Sequence, residues 1–373
     1  MIFDVAIIGG GLAGLTSALH LTGSGLQVLL IERATYPHHK VCGEYISNEV
    51  LPYLQALGAD PLILKPSRIH RFQMSSVKGK TLESRLPLGG FGLSRYSFDQ
   101  YLMNLAVDRG CRVLHENVMD VRVEQAESIV VTDLSEYRAR LVFGAYGKRS
   151  QLDRQFGRPF FRSKSPWIAI KSHYRGNFPN DLVALHSFPG GYCGVSKVED
   201  GLLNICYLVH SNSFKPYRNI EEHQKRVLHQ NPFLKEIFEN SENLFPAPLS
   251  ISQVSFQKKE KAARDMLMVG DSAGLIHPLC GNGMGMAIHA AKIASSLAIA
   301  YVNNQIQTRS ELQRRYEKEW KSNFQTRVSL GRVLSSVMRN EKASSMLMYG
   351  LMTAPHLLEK IIRNTHGKPF SVT

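Results

Sequence analysis

Apolar and polar positions along the chain fall into two periodicities that replace each other several times. Residues Asp4 to Ile8 form a short apolar run of the kind that becomes a buried strand. A glycine turn from Gly9 to Gly14 follows, and Leu15, Ala18 and Leu19 then recur every three to four positions, as on one face of a helix. A second apolar run, Gln27 to Ile31, ends on Glu32. The stretch from Arg33 to Ile46 is rich in turn formers and reads as a loop, before a helix from Asn48 to Leu57 that stops at Gly58. Ile69 to Met74 and Thr81 to Leu86 read as a hairpin, followed by a helix from Phe98 to Arg109 and a strand from Cys111 to His115. Two alternating strands, Val118 to Glu124 and Ser128 to Thr132, precede an apolar run at Ala139 to Ala145 that suits a buried parallel strand.

From Pro159 to Gln257 alternation dominates, as in Trp167 to Tyr174, Leu182 to Phe188, Tyr192 to Val198 and Leu202 to Val209, with one helix from Ile220 to Leu228. These strands predict a second, antiparallel sheet. Met266 to Gly270 is again a buried strand, and a turn from Asp271 leads into a long helix of small residues reaching Ala300. The apolar run from Met284 to Val302 is broken by His289 and Lys292, which predicts a core helix rather than a membrane span. Beyond Gln307 the pattern is helical. Ser310 with Gln313 reads as a capping box, and Leu312, Tyr316, Trp320, Phe324 and Val328 share one face, opposite Arg314, Arg315, Lys318 and Lys321. A Met-rich piece, Met346 to Met352, follows.

The first element carries chemistry. Gly9 permits a tight turn, Gly11 lets the backbone approach a pyrophosphate, Gly14 lets helix and strand pack closely, and Glu32 stands where an acid accepts ribose hydroxyls. The helix N-terminus offers free N–H groups and a dipole that favours anions. Strand, glycine turn, helix, second strand and terminal acid together predict dinucleotide binding.

At 373 residues the chain has room for two or three domains, and its 43% apolar and 20% charged content is that of a globular protein. Cys42, Cys111, Cys193, Cys206 and Cys280 include no C-x-x-C pair and no zinc-ligand spacing, so reduced thiols and no metal site are expected. Without a signal-peptide pattern the expected location is the cytoplasm. The net charge is +14, and residues 301–373 hold 12 Lys/Arg against 5 Asp/Glu, a local excess of +7. No nucleic-acid module accompanies that charge, so nucleic acid is not an expected partner. The field suits anionic cofactors or solubility, and the basic C-terminal helix leaves open a peripheral contact with a membrane surface.

A second motif gives the pattern a family. Gly270-Asp-Ser-Ala-Gly274-Leu-Ile-His277-Pro278-Leu-Cys280-Gly281-Asn-Gly283-Met-Gly285 resembles, in order and spacing, the second flavin motif of the flavoproteins shaped like para-hydroxybenzoate hydroxylase. Within that group the chain looks most like the geranylgeranyl reductase-type branch, over about the first 300 residues. The resemblance implies bound FAD, with Asp271 holding the ribityl hydroxyls and the backbone from Pro278 to Gly283 beside the ring. It extends the cofactor set to Leu12, Ala13, Arg33, Cys42, Gly43, Arg95, Gly270, Gly281, Asn282 and Met284. A helix starting near Gly283 would direct its N–H groups at the edge where reduced flavin is negative. Pro189-Gly190-Gly191-Tyr192 resembles the substrate-sheet signature of the reductase branch, with Gly194 where an aromatic is usual, which implies a wider cavity and makes Gly191 and Tyr192 candidate substrate contacts. Tyr146, in Gly144-Ala-Tyr-Gly147, stands where the family has an aspartate, so the mode of flavin reduction does not carry over.

Cys42 and His277 are the candidate proton donors, each weighed against an inert packing role. The expected architecture is α/β: a Rossmann-like, discontinuous (GR2-type) FAD-binding domain from 1–67, 92–158 and 259–305, an antiparallel substrate-binding sheet from 68–91 and 159–258, and a helical C-terminal region from 306–373. The expected activity is FAD-dependent reduction of a carbon–carbon double bond in an apolar, isoprenoid or polyketide-like molecule, with NAD(P)H as a transient donor. Hydroxylation of an aromatic or polyketide-like substrate, or an FAD-containing binding protein without turnover, are the alternatives.

Overall fold

The apolar run Ile2–Ile8 lies at the centre of a sheet and is covered on both faces, which is why it reads as continuous rather than alternating. The computed structural model describes residues 1–124, 127–277, 281–338, 346, 350–351 and 355–371. In chain order the first strands are β1 (Ile2–Ile8), β2 (Val28–Ile31), β3 (Tyr45–Ser47), β4 (Ser67–Ser75), β5 (Thr81–Gly92) and β6 (Arg112–Leu114). Then come β7 (Val118–Glu124), β8 (Glu127–Thr132), β9 (Glu136–Gly144), β10 (Trp167–Gly176), β11 (Leu182–Phe188) and β12 (Gly191–Lys197). The last are β13 (Leu203–His210), β14 (Ser241–Asn243), β15 (Leu249–Ile251), β16 (Ala262–Ala263) and β17 (Met266–Met268).

One eight-stranded sheet has the order β16-β17-β9-β1-β2-β6, with the β7–β8 hairpin attached to β9. Its central strands β17, β9, β1, β2 and β6 are parallel, so their carboxyl ends open along one edge. The helices Leu12–Gly23 and Gly283–Val302 pack on this sheet and on each other. The second sheet has nine strands, ordered β14-β10-β13-β12-β11-β4-β5-β3, with β15 on β10. Its outer face, with Ile170, Tyr174, Ala184, Val195, Ile205 and Tyr207, is closed by Val227, Leu228 and Leu234 from the short helices behind it. By the two-residue period of a strand, Trp167, Ala169, Lys171 and His173 of β10 point the other way, toward the first sheet.

Several elements depart from the sequence reading. Residues 45–47, at the end of the expected loop and inside the expected cofactor segment, form β3 and pair with β5 of the second sheet. The second sheet is not wholly antiparallel, because β4 and β11 run parallel. A helix Pro232–Glu239 was not anticipated, although Asn231 caps it through the Phe233 and Leu234 N–H groups and proline opens it. The cap of the long C-terminal helix Arg309–Met338 is Thr308, whose hydroxyl accepts from the Glu311 N–H while Glu311 accepts from the Gln307 N–H. Ser310 is therefore the second residue of the helix, two positions past the cap. The Met-rich piece falls mostly outside the described residues.

The apolar face Leu312, Tyr316, Trp320, Phe324, Val328 is buried against the chain's own core, and the Tyr316 hydroxyl donates to the Met268 carbonyl at 2.7 Å. That face is not free to enter a membrane. Helix Gly283–Val302 is long and apolar enough to span one by length and composition, contrary to the sequence reading, yet half of its apolar window is buried in the fold. The last helix, Pro355–Thr365, lays Leu358 and Ile362 on Ile69, Phe72, Leu82 and Leu86 of β4 and β5.

Burial holds four histidines neutral. His20, His186, His223 and His289 are each lowered from 6.5 to about 4 by desolvation. The unfolded chain takes up these protons near 6.5 and the fold only near 4, so the unfolded state binds more protons in between and stability falls as pH drops through that window. We expect the melting midpoint to decline steadily from pH 6.5 toward pH 4. His20→Gln, which can still meet the Tyr53 hydroxyl that His20 meets at 2.8 Å, is expected to flatten that slope in thermal melts.

Candidate functional site

Three chain segments meet at the carboxyl edge of the parallel strands with almost no side chain between them. Gly9 has φ +104, and a Cβ there would lie 2.6 Å from the Ala145 carbonyl oxygen at the end of β9. A Cβ on Gly14 would collide with the Gly9 carbonyl oxygen. Gly270, at φ +64, would place a Cβ 2.8 Å from that of Ala13. Glycine at these positions is what lets the turn after β1, the end of β9 and the turn after β17 converge.

Gly11 differs. A Cβ there would approach only Arg95 Nη2, at 3.5 Å, and one on Gly43 would meet nothing within 4 Å. The helix that Gly11 opens has no side-chain cap and no acid in its first turn, and Leu12 and Ala13 are buried behind it. Its N–H groups therefore face an open cradle beside an arginine, which fits the pyrophosphate of FAD. Glu32 accepts from the Gly10 N–H at 2.7 Å and the Ala34 N–H at 3.1 Å, one bond on each oxygen, so both retain capacity for ribose hydroxyls. Arg33 is exposed at the strand end.

Arg95 is the first residue of the helix Arg95–Asp108, which starts three residues before the expected Phe98 because Ser94 caps it. Its guanidinium forms a two-pronged pair with Asp99, both bonds 2.7 Å, and Lys40 meets Asp99 at 3.0 Å. Burial would raise the Asp99 carboxyl, but Arg95 and Lys40 outweigh it and hold it below the usual range. Arg95 is thus aimed beside Gly11 by a buried carboxylate.

At the other end, Asp271 lies in the turn Gly270–Ser272. The buried Lys259 Nζ donates to the Asp271 carbonyl at 2.8 Å and the Lys148 carbonyl at 2.7 Å, and Gly147 N–H donates to Ser272 Oγ at 2.9 Å, so the two motif turns are tied together. Pro278 and Cys280 lie outside the described residues. Gly281, at φ +61, leads into Asn282 and the helix from Gly283; Met284 is buried. The Asn282 side chain turns away from the cradle, donating to Glu49 Oε1 at 3.1 Å and the Thr365 carbonyl at 3.2 Å, so any flavin contact there would be through backbone.

His277 is buried in an aromatic wall, its ring 4.4 Å from Phe256, 5.8 Å from Tyr192 and 6.4 Å from Trp167. Tyr192 and Trp167 belong to one apolar cluster on the inner face of the second sheet. Gly191 does not: a Cβ there would meet the Phe188 ring at 2.6 Å on the opposite face, because adjacent strand residues point opposite ways, so it is no part of the wall. Gly194 does face inward, with only ordinary contacts to Cys206 and Leu185.

Cys42 lies half-buried on a loop crossing this face, where Asn204 Nδ2 donates to its carbonyl at 3.2 Å. Sequence reasoning assigned nothing to its neighbour Glu44, which is fully buried at φ 53 and meets Lys171 at 2.5 Å and His173 at 2.7 Å. Burial raises the Glu44 carboxyl, and Lys171 and His173 more than reverse this. The signal was present in β10, where Lys171 and His173 share the inward parity of Trp167 and Ala169. Tyr146 points its hydroxyl at Asp153 Oδ1, 3.2 Å away, beside the buried Asp153–Arg158 pair.

Cradle, aimed arginine and paired motif turns define an FAD-dependent oxidoreductase of the para-hydroxybenzoate hydroxylase-like fold group. The chain matches the family described as FAD binding domain over residues 3–326 and belongs to it. It is 26% identical to digeranylgeranylglycerophospholipid reductase 2 of Methanopyrus kandleri over 364 residues, 93% of this chain and 90% of that one. It is 24% identical to menaquinone reductase of Mycobacterium tuberculosis, covering 79% and 76%. Among solved structures the flavin-dependent brominase Bmp2 superposes with a TM-score of 0.81 at 18% identity, covering 100% of this chain and 95% of that one.

The glycines separate folding from binding. Gly14→Ala is expected to cost at least about 1–3 kcal/mol of stability in denaturant unfolding of the apoprotein. Gly11→Ala is expected to leave that stability nearly unchanged while raising the Kd for FAD, read by flavin fluorescence, at least about tenfold.

Proposed function

We propose that the protein reduces a carbon–carbon double bond of an apolar, isoprenoid- or polyketide-like small molecule, with electrons from NAD(P)H or another donor passing through its FAD. The observation that carries this reading is the wall facing the cofactor loop: Trp167, Ala169, Tyr192, Leu208, Val254 and Leu275 make one buried apolar cluster, with Val41, Leu185 and Phe256 packed against it. Such a surface selects substrate by desolvation and shape, with few polar contacts. Similarity to the digeranylgeranylglycerophospholipid reductase along nearly the whole of both chains supports reduction as the chemistry.

When bound, FAD supplies the hydride. The chain orients the substrate and keeps water out through the aromatic wall. A double bond that accepts a hydride at one carbon needs a proton at the other, and we assign that role to the Cys42 thiol on the crossing loop, with the His277 ring in the wall as the alternative. Arg95 and the N–H groups opened by Gly11 would hold the phosphates of FAD, and the start of helix Gly283–Val302 would offer a positive end to the reduced ring.

The test is anaerobic reduction of the FAD-loaded protein by NADPH, then by dithionite, followed by a polyunsaturated isoprenoid lipid that carries no quinone ring. A product gaining two hydrogens without oxygen is expected, while one that gains an oxygen atom and forms only in air would replace this reading with hydroxylation. Cys42→Ala is expected to retain FAD and the visible flavin spectrum while lowering single-turnover product formation about a hundredfold. His277→Asn with the same loss and an unaffected Cys42→Ala would move the donor to the wall.

A further inference from the structure

Glu44 joins the loop that carries Cys42 to the start of the helix Arg95–Asp108 and to β10 of the second sheet. Its Oε1 accepts from the Arg95 backbone N–H at 2.8 Å and from Lys171 Nζ at 2.5 Å, and its Oε2 meets His173 Nε2 at 2.7 Å. One partner opens the helix that presents Arg95 to the cradle, and the other two stand on β10, in the sheet whose inner face carries Trp167 and Tyr192. A second carboxylate makes the same junction: Glu199, in the turn between β12 and β13, accepts from the Ser94 N–H at 2.8 Å and from the hydroxyls of Ser97 and Ser94.

The backbone at Glu44 is in the left-handed region, φ 53, where a residue with a side chain is disfavoured and persists only when its surroundings over-determine it. Here three side-chain bonds on one buried carboxylate, with Glu44 and Lys171 both at 0% exposure, supply that constraint. The loop is held two and three residues earlier as well, by Asn204 on the Cys42 carbonyl and by Lys148 Nζ on the Val41 carbonyl at 3.2 Å. Gly43 between them touches nothing within 4 Å of a Cβ position, so the path of the loop is set from its two ends.

We propose that Glu44 is a positioning residue for the flavin–substrate junction, acting through Lys171, His173 and the Arg95 N–H to fix the height of the Cys42 loop between the cofactor cradle and the substrate sheet. This rests on the reading that FAD lies between Gly11 and the loop before Gly283. Loss of the Glu44 carboxylate removes the side-chain tether that follows Cys42, while Lys40 on Asp99 and Val41 against the wall still hold the loop before it, and the Cys42 thiol becomes more open without global unfolding.

The experiment follows alkylation of Cys42 by iodoacetamide, by mass of its peptide, in FAD-loaded wild type, Glu44→Gln, Lys171→Met, the double variant and Asp153→Asn, well below each melting midpoint. Glu44→Gln and Lys171→Met are each expected to speed alkylation about tenfold and to alter the visible flavin band, with the double variant no faster than the faster single. Asp153→Asn breaks a buried ion pair elsewhere, so it is expected to lower the midpoint and leave the Cys42 rate within about twofold of wild type. A Glu44→Gln protein that retains FAD with a wild-type rate overturns the proposal, as does an equal rise in Asp153→Asn. Should Glu44→Gln fail to fold, His173→Gln, which keeps the Lys171 pair, is expected to show a smaller rise, and no rise overturns the proposal. If wild type takes up no FAD, the flavin reading falls, while the alkylation comparison still decides whether Glu44 holds the loop.

Discussion

The contact on which everything else depends is backbone against backbone beneath the first glycine turn. β1, β9 and β17 run parallel in register, Ile8 beside Gly144 and Phe143 beside Leu267, so their carboxyl ends open together. Gly14 under Gly9, Gly9 under Ala145 and Gly270 against Ala13 close that edge into one cradle. Open parallel sheets bind ligands outside the carboxyl ends of their strands. Here the chain must leave that edge twice to build the second sheet and return twice, and it can do so only because the meeting points carry no side chains.

Around this crossing, charge is buried in pairs rather than spread on the surface. Arg95 with Asp99 aims a guanidinium at the cradle, Arg158 with Asp153 backs Tyr146, and Lys171 with Glu44 ties the Cys42 loop to β10 of the second sheet. Removing one partner of such a pair costs about 3–5 kcal/mol because the other charge stays buried and unmatched. Two further lysines serve the second motif turn: Lys259 donates to the Asp271 carbonyl and Lys261 to the Ala273 carbonyl, and burial lowers Lys261 to about 7. Part of the large positive charge is therefore internal scaffolding, which a count along the chain reads as surface field.

The cofactor half was legible because each of its parts has a local signature. A glycine turn between an apolar run and a helical period, and Asp271 after a buried strand, state their geometry within a few residues. Relations between distant segments were not legible in that way. β3 hides in a turn-rich loop because three residues carry no period, and Gly191 and Tyr192 are neighbours in sequence yet face opposite sides of the sheet. Glu44 carries no local signature, since its meaning comes from Lys171 and His173 more than 120 residues away. Tyr146 reads in sequence only as a departure from the family aspartate, and that its hydroxyl donates to Asp153 of a buried ion pair depends on the fold.

The most direct test of the account is a crystal structure of the protein loaded with FAD. The expected result is one FAD per chain, with pyrophosphate on the N–H groups after Gly11, adenosine ribose on Glu32, and the ring between the Cys42 loop and the segment before Gly283. A flavin bound elsewhere, or a protein that crystallises without FAD at saturating concentration, would contradict it.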